Sequence, residues 1–115
     1  MNVRILHNPR CSKSRTTLAL LQERGIDPEI THYLDSPPCA EELRSILKML
    51  GMQPRELMRQ GESEYRTLGL DQAGLGDDEL IDAMVAHPRL IERPIVIANH
   101  KAAIGRPPQA VLDIL

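Results

Sequence analysis

A chain of 115 residues fits one domain and is too short for two large ones. With no Phe, no Trp and only two Tyr, its core must be built from Leu, Ile, Val, Met and Ala. A net charge of −2 excludes a global basic field for nucleic acid or an anionic membrane, and the aromatic shortage removes the stacking platforms of single-strand binders.

Val3-Arg4-Ile5-Leu6 reads as a short strand, and His7-Asn8-Pro9-Arg10 as a loop, because Asn-Pro favours a turn. Before them, the start of the chain is too short in apolar residues and too charged for a signal peptide. Nowhere does an apolar run approach the roughly 20 residues of a membrane span. The expected location is therefore the cytoplasm, where two cysteines are catalytic or inert rather than a structural disulfide. Ser12 to Arg24 reads as a helix with Leu18, Leu21 and the flanking Ala19 and Leu20 as its buried stripe, stopped by Gly25. Pro28 to Leu34 reads as a second strand, which completes a right-handed βαβ unit with parallel strands.

Asp35-Ser36-Pro37-Pro38 breaks the chain. A helix follows from about Ala40 to Leu50, with Leu43, Ile46, Leu47 and Leu50 on one face and Gly51 after it. Shorter helices are expected over Pro54–Gln60 and Ser63–Leu68. Another is expected over Asp77–Ala86, with Leu80, Ile81, Met84 and Val85 facing inward and Asp77 or its neighbour as cap. Pro94 to Ala98 and Lys101 to Ile104 flank Asn99-His100 as a β-hairpin, and Pro107 opens a final helix ending near Leu115. The order βαβ, helical block, ββα predicts an α/β, thioredoxin-like fold. It would have a mixed sheet of four strands in one domain, residues 1–115, with a helical insertion at about 39–87 between its halves.

Cys11 is the candidate nucleophile. It stands at a helix start, where unpaired N–H groups and the helix dipole favour an anion, with Arg10, Lys13 and Arg15 nearby. Both effects lower a thiol pKa, and the thiolate is the reactive form. The alternative is a small buried hydrophobe, the usual fate of a free cysteine, and a loop of Pro, Asn, Arg and Ser argues against burial. Cys39 has acidic neighbours, Glu41 and Glu42, and reads as incidental. Ser14 stands where a Cys-x-x-Cys motif needs its second cysteine, so a dithiol centre is excluded there. Thr17 breaks a phosphatase-type Cys-x5-Arg loop, and the four histidines are too scattered for a metal site. Spacing alone makes Arg59, Arg93 and Arg106 structural or solvated residues.

The stretch His7-Asn8-Pro9-Arg10-Cys11-Ser12-Lys13-Ser14-Arg15, then Arg93-Pro94-Ile95-Val96 and Gly105-Arg106-Pro107, resembles the glutaredoxin-dependent arsenate reductase family over essentially the whole chain. The resemblance implies a cis proline at Pro94, one essential cysteine at Cys11, and oxyanion-binding arginines at Arg59, Arg93 and Arg106. It places His7, Asn8 and Ser14 on the active-site loop. It implies reduction of arsenate through a Cys11–arsenic intermediate, with glutathione as co-substrate, glutaredoxin as partner, no bound cofactor or metal, and a monomer as the default state. Family members often read Ala-Cys-Gly-Thr where this chain reads Arg10-Cys11-Ser12-Lys13. Two other readings therefore stand beside it: a general glutathione-linked thiol oxidoreductase without an oxyanion substrate, and a regulator of the Spx type that binds RNA polymerase.

Overall fold

The computed structural model describes residues 2–115, which form two compact units. The first comprises the chain up to Ser36 together with Arg93–Leu115; the second is Pro37–Glu92.

The first unit holds a four-stranded mixed sheet in the order β2-β1-β3-β4, made of β1 Val3–Leu6, β2 Glu29–Thr31, β3 Ile95–Ala98 and β4 Lys101–Ile104. β1 runs parallel to β2 and antiparallel to β3, and β3 is antiparallel to β4. Helix α1, Ser12–Glu23, makes the crossover between the parallel strands. This is the thioredoxin-like arrangement read from the sequence. The hairpin turn falls on Asn99 and His100, whose φ of 54° and 61° suits a tight two-residue turn. The core packs Val3, Ile5, Leu21, Val96, Ala98 and Val111, with Leu18, Ile26, Ala103 and Ile114 against them. Burying an aliphatic side chain such as Leu21 stabilises the fold by roughly 1.5–3 kcal/mol.

The structure departs from expectation in the length of β2, in the type of the last helix and in the buried face of α1. β2 covers only Glu29–Thr31, not Pro28 to Leu34, because β1 offers pairing for three of its residues and the His7 N–H then takes the Thr31 carbonyl at 2.9 Å. Past it the chain turns, with the His32 carbonyl accepting from the N–H groups of Asp35 and Ser36. The last segment, Pro108–Ile114, is a 3-10 helix rather than an α-helix. Pro107 and Pro108 supply no N–H, and the Ala110 N–H reaches back only three residues, to the Pro107 carbonyl at 2.9 Å. Its far end is held by Asn99, whose Nδ2 donates to the Ile114 carbonyl at 2.9 Å. The inner face of α1 also differs: its buried residues are Ser14, Thr17 and Leu21, while Ala19 is exposed. The two hydroxyls tolerate burial because each is hydrogen-bonded, Thr17 Oγ1 donating to the Lys13 carbonyl at 2.7 Å.

The second unit is helical: α2 Ala40–Leu50, α3 Pro54–Leu57, α4 Ser63–Thr67, α5 Asp77–Ala86 and a 3-10 turn at Pro88–Leu90. α5 packs on α2, α3 and that turn. α2 buries Leu43, Ile46 and Leu47, and α5 buries Leu80, Ile81 and Met84; Leu50 and Val85 are half-buried. Gly51 ends α2 in the left-handed conformation, φ 67°, where a side chain would be strained. α2 begins at Cys39, whose exposed sulfur accepts from the Glu42 N–H at 3.5 Å. Arg55 staples the following loop, donating to Tyr65 Oη and the Leu70 carbonyl, each at 2.6 Å, and to the Gln72 carbonyl at 2.9 Å. Among the described residues, no helix is long and apolar enough to cross a membrane.

Candidate active site

Sheet register brings the candidate residues of the first unit together. Leu6 at the end of β1 is opposite Ile95 at the start of β3, and Ile95 is opposite Ile104 at the end of β4. The loop after β1, the Arg93–Pro94 bond before β3 and the Gly105–Arg106 segment after β4 therefore leave the sheet at one end. Both Arg93–Pro94 and Arg106–Pro107 are cis. Gly105 is required by close approach: a Cβ there would lie 2.5 Å from Thr17 Oγ1 and 2.8 Å from Pro94 Cγ.

Cys11 is the residue preceding α1, with extended backbone, and its carbonyl accepts the first helical bond from the Arg15 N–H at 3.0 Å. Its own N–H donates to the Asn8 carbonyl at 3.0 Å, which closes the loop under it. Cys11 is only 9% exposed. The polar loop does not keep it in solvent as expected, because the loop folds back on its own serine and the arginines from the other end of the chain come over the sulfur.

Burial pushes the Cys11 thiol up, but the Ser14 N–H, the Arg93 guanidinium as donor and as charge, and the Lys13 N–H together bring it below the ordinary thiol value. No cap hydrogen bond of full geometry forms at the Cys11 side chain, so the Ser14 and Lys13 N–H groups act on the sulfur as longer-range donors. Arg106 Nη2 donates to Cys11 Sγ at 3.8 Å, and its Nε donates to the Arg93 carbonyl at 2.8 Å, which fixes the two arginines relative to each other. The expected source of positive charge was Arg10, Lys13 and Arg15. The structure gives that part to Arg93 instead, while Arg15 Nη1 is spent on the Pro9 carbonyl at 2.9 Å and Arg10 is exposed.

Ser14 is fully buried and organises the loop. Its Oγ accepts from the Asn8 N–H at 3.0 Å and lies 2.6 Å from His7 Nδ1. Burial first, then the charges of His32 and Arg15, lower the His7 pKa, so the ring is neutral at neutral pH. In the neutral ring, Ser14 donates to Nδ1 and the ring proton sits on Nε2, the assignment that gives the serine proton a partner. Asn8 Oδ1 accepts from the Arg10 N–H at 3.0 Å. Beside the loop lies a pocket of about 300 Å³ between His7–Arg10 and His32, Leu34 and Asp35. His32, whose ring centroid is 6.0 Å from that of His7, was not among the sequence candidates; nothing in its spacing from His7 announces the approach.

Arg59 belongs to the second unit, two residues past the end of α3. Its N–H donates to the Leu90 carbonyl at 2.7 Å, and its guanidinium faces Glu62 and Glu92. Neither glutamate was a candidate, although Glu62 stands at the i+3 spacing that a helical pair would use. Among the described residues, no three His, Cys, Asp or Glu side chains group in a way that could hold a metal.

The arrangement in the first unit is a thiol held below its ordinary pKa at a helix start, with two guanidinium groups beside it, a geometry that can hold an oxyanion while sulfur attacks its central atom. The ArsC family model matches residues 6–114. The "Uncharacterized protein YfgD" of Escherichia coli K12 is 57% identical over 98% of this chain and 96% of its own length. An arsenate reductase of Neisseria meningitidis serogroup A is 50% identical over 98% of this chain and 97% of its own. The solved structure of an arsenate reductase from Vibrio cholerae superposes with a TM-score of 0.98 at 51% identity, covering 100% of this chain and 98% of that one. On these matches, which run the length of the fold and include the residues around Cys11, the chain belongs to the ArsC family.

Proposed function

We propose that this protein reduces arsenate to arsenite, with the Cys11 sulfur as nucleophile and glutathione and glutaredoxin as the source of the remaining thiols. The observation that carries the reading is the pair of guanidinium groups, Arg93 and Arg106, on a thiol held below its ordinary pKa. A thiol that only exchanged disulfides would need the thiolate but not two fixed cations above it. Relatives named as arsenate reductases support the same reading.

In this mechanism Arg93 and Arg106 hold the arsenate oxygens, and Arg59 adds a third guanidinium by family resemblance. The Cys11 thiolate attacks arsenic; an arsenic–oxygen bond breaks, and the hydroxide takes a proton and leaves as water. Glutathione attacks the arsenic–cysteine adduct next. The two sulfurs supply the two electrons that convert arsenic(V) to arsenic(III), arsenite departs, and the sulfurs end as a disulfide that glutaredoxin reduces. Overall, arsenate and two thiols give arsenite, one disulfide and water. In this reading the second thiol comes from outside, since Cys39 serves as the cap of α2 and no Cys-x-x-Cys partner stands beside Cys11. The reaction belongs in the cytoplasm, where glutathione keeps thiols reduced, and needs only a monomer and no bound cofactor.

The test is arsenate-dependent NADPH oxidation in the presence of glutathione, glutaredoxin and glutathione reductase. Cys11→Ser should abolish it, Cys39→Ser should retain most of it, and Arg93→Lys or Arg106→Lys should cost about 1.5–3 kcal/mol per lost charge-assisted contact. NADPH oxidation that needs a glutathione-mixed disulfide and ignores arsenate would replace this reading with general thiol oxidoreduction.

A further inference from the structure

We propose that the pocket beside the active-site loop seats the second thiol, and that Arg10 and Asp35 hold glutathione there by the α-carboxylate and α-ammonium of its γ-glutamyl end. The inference rests on the reading that glutathione resolves the Cys11 adduct, and it concerns only residues of the first unit.

β1 and β2 are parallel, and Leu6 pairs with Thr31, so the loops that follow the two strands run out side by side. The pocket of about 300 Å³ lies between these loops, with Arg10 from the first and Asp35 from the second in its lining. Hydrogen bonds fix both backbones. Asn8 Oδ1 accepts from the Arg10 N–H at 3.0 Å, and the His32 carbonyl accepts from the Asp35 N–H at 3.0 Å. The side chains are left for a ligand. Among the described residues, neither the Arg10 guanidinium nor the Asp35 carboxylate has a hydrogen bond or ion pair, with each other or with any other residue. The Arg15 guanidinium, by contrast, is committed to the Pro9 carbonyl at 2.9 Å.

Two groups of opposite charge on one small pocket match a zwitterion. A simple anion would meet the Asp35 carboxylate and a simple cation the Arg10 guanidinium, whereas an α-amino acid end presents both charges at once. A guanidinium takes a carboxylate through two parallel N–H bonds, and a carboxylate accepts from an ammonium. Leu34 lines the same pocket and is 36% exposed, so the γ-glutamyl methylenes have an apolar surface to cover. The pocket is one peptide bond from the nucleophile, since Arg10 precedes Cys11, and the Cys11 N–H is tied to the Asn8 carbonyl at 3.0 Å. An extended tripeptide spans about 10 Å, long enough for one end to rest on Arg10 and Asp35 while its thiol reaches towards Cys11. Arg10 and Asp35 are both exposed, so water screens the pairs, and each charge contributes about two- to fivefold in affinity.

Nuclear magnetic resonance titration of the full chain with S-methylglutathione, whose capped sulfur cannot react, tests this without arsenate. The amide signals of Asn8, Arg10 and Asp35 should shift saturably. Arg10→Gln and Asp35→Asn should each weaken binding about two- to fivefold. Arg24→Gln, at the far end of α1 and equal to Arg10→Gln in net charge, should keep the parent affinity. A ligand with glutaryl in place of γ-glutamyl lacks only the ammonium; that loss should weaken binding to the parent and make no difference to Asp35→Asn. Absence of saturable shifts at the pocket, parent affinity in both pocket variants, or an equal loss in Arg24→Gln overturns the inference and leaves the arsenate assay as the separate test of the reaction. Binding that needs Arg10 and Asp35, in a protein without arsenate-dependent NADPH oxidation, upholds the pocket and overturns the proposed reaction in favour of general thiol oxidoreduction.

Discussion

Arg106 and Cys11 stand 95 residues apart in the chain, yet Arg106 Nη2 donates to Cys11 Sγ at 3.8 Å. The contact exists because β1, β3 and β4 end in register. It gives Arg106 a place beside the candidate nucleophile. Arg106 Nε also holds the Arg93 carbonyl at 2.8 Å, and it is the Ser14 N–H and the Arg93 guanidinium that chiefly offset the cost of ionising the buried sulfur.

The first prediction concerns the pH at which Cys11 becomes reactive. The Cys11 pKa is lowered in the folded protein, so the thiolate population rises with pH through a midpoint below that of an ordinary free cysteine. Iodoacetamide alkylation followed against pH should show that midpoint. Arg93→Gln should move it upward, while Arg15→Gln should leave it in place. A midpoint unaffected by Arg93 would mean that the helix start alone activates the sulfur.

Ser14→Ala should destabilise the protein by about 1–3 kcal/mol, because it leaves the Asn8 N–H without its side-chain acceptor and His7 Nδ1 without its partner in a buried loop. Urea unfolding would measure it. Ser14→Thr is no rescue, since the extra methyl enters a fully buried site. A loss below about 0.5 kcal/mol would show that the loop repacks without the hydroxyl.

The neutral His7 makes stability depend on pH in a defined direction. Its folded pKa lies below the unfolded value, so the unfolded state binds the proton more readily. Stability is therefore full above about 6.5 and falls as pH drops below it, until the folded histidine also protonates. The difference in urea midpoint between pH 7.5 and pH 5.5, both chosen as roughly one unit either side of that value, should shrink in His7→Gln. An unchanged difference would assign the acid sensitivity to other groups.

Gly105→Ala should cost about 1–3 kcal/mol, since its Cβ would meet the Pro94 ring and Thr17 Oγ1 at once. Thr17 is held by its bond to the Lys13 carbonyl, so it cannot simply turn away. Thermal unfolding of Gly105→Ala and of the double variant with Thr17→Ala, compared with Thr17→Ala alone, separates the two contacts, because Thr17→Ala removes the hydroxyl that a new Cβ would meet. Substitution at Gly61, where a new Cβ meets nothing, is the control and should change stability little.

The chain alone was enough for the element order, for the hairpin at Asn99-His100 and for placing Cys11 at the start of a helix, because these depend on signals a few residues long. Hydrophobic spacing, Gly and Pro punctuation and a helix start beside a cysteine are local, and local preference agrees with the fold there. Distant family motifs also brought Arg93 and Arg106 into view, where spacing left them as ordinary surface cations. Tertiary structure decided the rest. It shortened β2 to the length β1 could pair and buried Ser14 and Thr17 on the inner face of α1. It also moved the charge control of Cys11 from Arg10 and Arg15 to Arg93. Each of these outcomes depends on which groups meet across the sheet, and an electrostatic or hydrogen-bond partner is chosen by distance in space, for which separation along the chain is no guide.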